Sequence, residues 1–248
     1  MFKKLFSVTA VAGAALISAG AAQAVPMTFV GENTNPGERV FGAPVAARVA
    51  FLANLSGVGT ETFEGFSTGA TGPLAISFPG SGAAITGSIT GNGAVIQTPS
   101  TVGRFNTTGA TAAPVAGKWW NATNNFVLTF NKAISAFGFY GTDIGDFDGQ
   151  ITMALTDLAG VVTSMTIPNT KNAPNASLLF FGFVDLNNSY TKISFGNTAA
   201  GEDQFGFDDF VVGERGQVIV PNPTPEPATL GLVALSLLGL ARASRRRT

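Results

Sequence analysis

Three sets of side chains in this sequence could do chemistry. The first is Asp143, Asp146 and Asp148, three carboxylates within six residues, interleaved with Gly145 and Gly149. Hard cations such as Ca2+ take several oxygen ligands from a flexible loop. An EF-hand frame would put Ile144 first and Leu155 twelfth, so this is not that motif. The segment reads either as a calcium-binding loop or as a solvated acidic turn in which Asp and Gly supply the geometry. The second set joins distant stretches: Glu64 in Phe63-Glu64-Gly65-Phe66, and Asp208 and Asp209 in Phe207-Asp208-Asp209-Phe210. Strand side chains alternate, so with Phe207 and Val211 inward Asp209 also faces inward, unless a bulge reorients it. A buried carboxylate needs a cation or hydrogen bonds, and a structural Ca2+ held by Glu64, Asp208 and Asp209 would meet that need. The third set is Trp119 and Trp120, the only tryptophans. Exposed, they could stack on sugar rings; the alternative is that they cap the core.

Much catalytic chemistry is excluded. The chain has no Cys and no His, which removes Ser-His-Asp and Cys-His nucleophiles and the usual zinc sites. A glycosidase would need two facing carboxylates with one pKa raised. Glu61, Glu64, Glu202 and the aspartates could supply a pair, but no feature assigns roles to any two of them. The expectation is a protein that is not an enzyme.

The elements that must hold these residues are mostly strands. From Gly59 onward apolar residues recur with period two: Ala84–Thr90, Ala94–Gln97, Phe126–Phe130, Ala136–Tyr140, Ile151–Leu155, Val161–Ile167, Leu178–Phe183, Lys192–Phe195 and Phe205–Val212. They are rich in β-branched and aromatic residues and separated by Gly, Asn, Asp and Pro. Leu158-Ala159-Gly160 has the look of a hairpin tip. One helix is expected over Pro44–Leu55, with Val45, Val49, Leu52 and Leu55 as its packing stripe. Val25–Gly42 reads as a loop or edge strand, and the Gly-rich half from Gly65 to Gly117 as loop-rich. The fold class is all-β, a single jelly-roll-like β-sandwich. It resembles carbohydrate-binding jelly rolls that seat calcium between first and last strands, at that general level only.

Both ends read differently. Lys3 and Lys4, an apolar run from Leu5 to Gly20 and Ala22-Gln23-Ala24 form the layout of a secretory signal peptide, so residues 1–24 are expected to be removed and Val25 to begin the mature chain. The far end runs Pro225-Glu226-Pro227, then 14 residues from Ala228 to Ala241 without charge, then Arg242 and Arg245-Arg246-Arg247. The prolines hold Glu226 in an extended peptide. As a helix the apolar run spans ~21 Å, short of a ~30 Å hydrocarbon core, a gap that arginine snorkelling or bilayer thinning closes. The basic end fits a cytoplasmic stop.

Residues 221–248 resemble the PEP-CTERM sorting signal: Pro225-Glu226-Pro227, an Ala-Thr-Leu-Gly-Leu start, a Leu/Ala/Gly span and a terminal Arg cluster. The resemblance implies recognition by an exosortase that processes the chain near the Pro-Glu-Pro, and a link to exopolysaccharide and biofilm matrix. Residues 25–220 remain as one β-sandwich domain. With the six basic residues and one acid of the two ends set aside, this domain carries 8 basic against 14 acidic residues, a net of −6. That balance offers no basic patch for nucleic acid. Without disulfides the core alone must hold the domain.

The expected protein is exported through Sec, held in the inner membrane by its C-terminal hydrophobic helix, then displayed at the cell surface or in the extracellular matrix. Its expected role is structural or adhesive. The alternatives are a carbohydrate-binding module and, further off, a hydrolase of the matrix polysaccharide.

Overall fold

The computed structural model describes residues 26–35, 42–97, 117–122, 125–144, 147–174, 177–199 and 203–220. The signal segment 1–24 and the tail 221–248, with Pro225, Glu226 and Pro227, lie outside them. The chain forms β1 (Met27–Asn33), α1 (Gly42–Leu52), β2 (Thr60–Glu61), β3 (Leu74–Phe78), β4 (Ile85–Gly91), β5 (Ala94–Gln97) and β6 (Lys118–Ala122). There follow β7 (Phe126–Thr142), β8 (Ile151–Asp157), β9 (Val162–Thr166), β10 (Leu178–Val184), β11 (Tyr190–Asn197), β12 (Phe205–Glu214) and a 3-10 turn at Arg215–Gln217.

One long strand organises the sandwich. Phe126–Phe130 and Ala136–Tyr140, expected as separate strands, are two halves of the 17-residue β7. Its first half lies between β4 and β11, and its second half between β10 and β12. All pairings are antiparallel, and β7 therefore belongs to two layers at once. The front layer runs β3-β4-β7-β11-β8-β9, and the back layer β1-β10-β7-β12-β6-β5 with β2 also against β12. A two-layer antiparallel β-sandwich is thus the fold, as the period-two patterning predicts.

The inner faces meet through a core of aromatics. Phe126 stacks on Phe195 with centroids 4.3 Å apart and planes 9° from parallel, and Phe139 meets Phe207 and Phe210 edge-on or tilted. Phe137, Phe139, Phe181, Phe183, Phe207 and Phe210 are at most 1% exposed. Burying each such ring contributes roughly 1.5–3 kcal/mol, which suits a chain without disulfides.

The centre of the back layer, β10, the second half of β7 and β12, is buried on both faces. β10 reads as an unbroken apolar run, Leu178 to Val184, and every residue is buried. Its odd residues join the inter-sheet core, and its even residues Leu178, Phe180 and Val184 meet α1 in a second cluster with Ala47, Phe51, Leu55, Ala136 and Tyr140. The helix buries Pro44, Ala47 and Phe51; of the expected stripe Leu52 and Leu55 do pack in this cluster, whereas Val45 is 36% and Val49 62% exposed. The reason is Phe51, whose bulk outweighs the smaller valines and sets the rotation of the helix. Val25–Gly42 contains the edge strand β1, one of the two readings given for it, whereas β3 falls inside the half expected to be loop-rich and β6 just beyond it.

Candidate functional site

The carboxylates of β12 sit at a bulge. Pairing with β7 is regular up to Asp208↔Tyr140 and resumes at Val211↔Gly138, one residue out of step. Asp209 occupies the left-handed region at φ 51°, a conformation Asp tolerates better than most residues. Its N–H donates to Asp208 Oδ1 at 2.7 Å. The bulge keeps Phe207, Phe210 and Val212 in the core while Val211 meets the helix side. Val211 thus points outward, and Asp209 does not follow the inward alternation; the bulge turns it to the helix side, where its Oδ2 lies 3.7 Å from Arg48 Nη2 of α1.

Arg48 ties this region together. Its Nη2 donates to Thr60 Oγ1 of β2 at 3.1 Å, and its guanidinium carbon stands 5.9 Å from the centre of the Tyr140 ring. Burial pushes the Tyr140 hydroxyl up to about 12; Arg48 works against that shift and the Asp209 charge adds to it. Asp208, Asp209 and Tyr140 are all buried. Arg48 and Tyr140 were not singled out by sequence reasoning. The one signal available was Arg48 as the sole charged residue of an otherwise apolar helix.

Glu64 is not part of this group. It is exposed and accepts from the Lys118 N–H at 2.8 Å, while Lys118 Nζ donates to the carbonyls of Glu64 at 3.0 Å and Phe66 at 2.7 Å. The expected neighbourhood of the early segment and the last strand does form, through Phe210↔Glu61 and Val211↔Thr60. It ends before Glu64, because Phe63 turns into the left-handed region at φ 57° with its N–H held by Glu61 Oε1 at 2.7 Å. Burial raises the pKa of Glu61, and the N–H groups of Phe63 and Thr62 oppose the rise.

In the acidic turn, Asp143 is buried at φ 62° with its N–H donating to the Ser177 carbonyl at 3.2 Å. Asp148 is exposed at φ 57° and accepts from Asn172 Nδ2 at 3.4 Å. Asp146 lies outside the described residues. Among the described residues, no group of three or more acidic side chains is placed to hold a metal ion.

Trp119 and Trp120 are buried, at 3% and 0% exposure, so neither presents an open ring to solvent as a stacking platform would. Trp120 points into the core and tilts against Phe126 at 6.3 Å. Trp119 points to the outer face, against Gly206 and close to Thr142, where a Cβ on Gly206 would come within 3.0 Å of the indole. By alternation Asn121 shares that face. Trp119 Nε1, Trp120 Nε1 and Asn121 Oδ1 are buried without a hydrogen-bond partner among the described residues. The outer face of β6, β12 and the end of β7 thus carries Trp119, Asn121, Tyr140, Thr142 and Asp208, a polar and aromatic row beside the half covered by α1.

Residues 223–247 match the model of the PEP-CTERM protein-sorting motif. The chain therefore carries that sorting signal, which marks an exported protein destined for the cell surface or extracellular space. No curated protein matches the sequence significantly. Among solved structures, the chain is similar to the C-terminal family 22 carbohydrate-binding module of Clostridium thermocellum Xyn10B, with 14% identity and a TM-score of 0.36 over 64% of this chain and 95% of that one. It is similar to the K2 cleaved adhesin domain of Lys-gingipain, with 14% identity and a TM-score of 0.36 over 62% of this chain and 97% of that one. It is also similar to the family 11 carbohydrate-binding module of Clostridium thermocellum, with 18% identity and a TM-score of 0.29 over 64% of this chain and 98% of that one. Likenesses this loose carry no argument about the site.

Proposed function

We propose that this chain is an exported, non-catalytic β-sandwich that acts by contact within the extracellular polysaccharide matrix, in a structural or adhesive role. In this reading Sec exports it, the tail holds it in the inner membrane, and an exosortase processes it near Pro225-Glu226-Pro227. The observation that carries the reading is the sorting motif at residues 223–247, joined to a domain whose inter-sheet space is filled with aromatic side chains. Its acidic carboxylates support contact work rather than turnover: Glu64 is engaged by Lys118, and Asp209 by Arg48. Mass spectrometry of cell-surface and secreted fractions tests it. Peptides beginning at Val25 and ending near Pro227 are the expected result; the intact chain folded in the cytosol overturns it.

A second reading, a carbohydrate-binding module, is favoured by one observation. Trp119 Nε1 and Asn121 Oδ1 are a donor and an acceptor buried just beneath the outer face beside Asp208, both without a partner among the described residues. A glycan array distinguishes the two. Binding that is lost on Asn121→Ala favours the module, and absence of binding across matrix polysaccharides leaves the structural role.

A further inference from the structure

Among the described residues the front layer ends at β9, which pairs with β8 and with no strand beyond it. The hydrogen bonds at both ends of this pair fix which backbone groups are left over. Asp157 N–H donates to the Val161 carbonyl at 3.0 Å, and Ile167 N–H donates to the Ile151 carbonyl at 2.8 Å. Antiparallel pairs alternate, so Val161, Thr163, Met165 and Ile167 turn their backbone groups to β8. Val162, Ser164 and Thr166 turn theirs to the open edge. The edge is also uncharged and apolar at its tip: Leu158, Val161 and Val162 are 78%, 60% and 56% exposed. The one nearby acid, Asp157, is turned into its own hairpin, accepting from the N–H groups of Ala159 and Val161 at 2.8 Å.

The other edges are protected. β3 is bracketed by Pro73 and Pro79. β5 is covered on its far side, where Gly69 N–H donates to the Val95 carbonyl and Val95 N–H to the Ala70 carbonyl, both at 2.8 Å. β1 carries Glu32 and is overlaid by α1. An edge with no charge, proline or cover is a template for another strand.

We propose that β9 is a homotypic interface, pairing antiparallel with β9 of a second copy about a two-fold axis at Ser164. In that register Val162 faces Thr166 of the other copy, and Ser164 faces Ser164. These are the three residues whose N–H and C=O groups point outward, so every pair exchanges both backbone bonds. Thr163 faces Met165 between them. No like charges meet, and a self-complementary strip of this kind is what a two-fold interface requires. The front layer becomes continuous across both copies. The inference stands apart from the choice between a structural and a sugar-binding role.

The test is the oligomeric state of the full chain in detergent, by light scattering and sedimentation across a concentration series. Wild type is expected to dimerise. Ser164→Lys puts two ammonium groups face to face at the axis and raises the dimer dissociation constant by about tenfold or more. Ser164→Pro removes the central outward donor without taking a bond from β8 and does the same, with circular dichroism confirming that each variant is folded. Mixing Ser164→Lys with Ser164→Glu restores a heterodimer. A wild type that stays monomeric at every concentration, or a dimer indifferent to Ser164→Lys, overturns the proposal.

Discussion

Gly138 of β7 and Gly182 of β10 stand directly opposite each other in the back layer, and a Cβ on either would come within 2.8 Å of the Phe51 ring. The pair forms a floor of bare backbone, walled by Phe29 and Phe180 at 5.8 and 5.7 Å from the Phe51 ring centre. Phe51 is the largest of the side chains that seat the helix, with Pro44 and Ala47 buried beside it.

Gly138→Ala and Gly182→Ala should therefore each lift α1 and destabilise the domain by about 1–3 kcal/mol, the range for overpacking a core. Phe51→Ala should cost about 3–5 kcal/mol, since the ring is fully buried. In the Phe51→Ala background the glycine substitutions should lose most of their effect, because the atoms they strike are gone. Urea unfolding of the three single variants and the two double mutants measures this. Additive losses would mean that the glycines serve something other than the ring.

Both tyrosines of this chain are held neutral to unusually high pH. Burial raises the pKa of Tyr140 to about 12. Burial followed by the hydrogen bond and charge of Asp185 raises that of Tyr190. An acid whose folded pKa exceeds its unfolded value, ~10 for Tyr, lends stability that is present below ~10 and lost as pH climbs towards the folded value. The domain should lose stability between pH ~10 and 12, and phenolate absorbance should rise together with unfolding rather than ahead of it. Tyr140→Phe should flatten part of that alkaline loss. Phenolate appearing in the folded protein near pH 10 would contradict the burial assigned to both rings.

Asp185 has the opposite sign. Burial alone would raise its pKa. The Tyr190 hydroxyl at 2.6 Å, the N–H groups of Asn187 and Asn188 at 2.8 and 2.9 Å, and Asn188 Nδ2 at 3.2 Å reverse this and hold it below its usual value. A depressed carboxylate lends stability above its unfolded pKa of ~3.9 and loses it as pH falls through the lower folded value. Tyr190→Phe removes the donor that locks the end of β10 to the start of β11. It should cost about 1.5–3 kcal/mol at neutral pH, as for hydrogen bonds to charged groups, and weaken the dependence on pH below ~4. Unfolding free energies from pH 7 to 3 check both halves of this expectation.

The strand content was legible where alternation survives in the front layer: in the expected strand Ala84–Thr90, Ile85, Gly87 and Ile89 face in, Thr86 and Thr90 out. It failed as a guide where both faces are buried. Leu178–Phe183 was read as a strand, as it is, but with every residue buried nothing in it told one face from the other, and only the helix above it explains why. The position of Asp209 was undecidable locally, since one inserted residue reverses every side chain after it, and that residue is identified by its pairing with β7. Glu64 was placed beside β12 correctly to within a few residues, but the left-handed turn at Phe63 sends its side chain to Lys118. The helix stripe held at Leu52 and Leu55 but was misjudged at Val45 and Val49, because period alone weighs Val49 and Phe51 equally, whereas packing follows volume.

The two tryptophans separate the readings most directly. A sugar-stacking indole must be open to solvent, while Trp119 and Trp120 are 3% and 0% exposed. Acrylamide should quench neither in the folded protein, their emission should be blue, and unfolding should shift it red. Trp120→Ala should cost about 3–5 kcal/mol as a large core deletion, and Gly93→Ala should also destabilise, because at φ 148° its Cβ would fall 2.5 Å from the Trp120 ring. Trp119→Phe should be far milder, because Nε1 has no partner among the described residues to lose. If Trp119 is instead readily quenched, and protected again by added matrix polysaccharide, its ring is an open platform and the sugar-binding reading displaces the structural one.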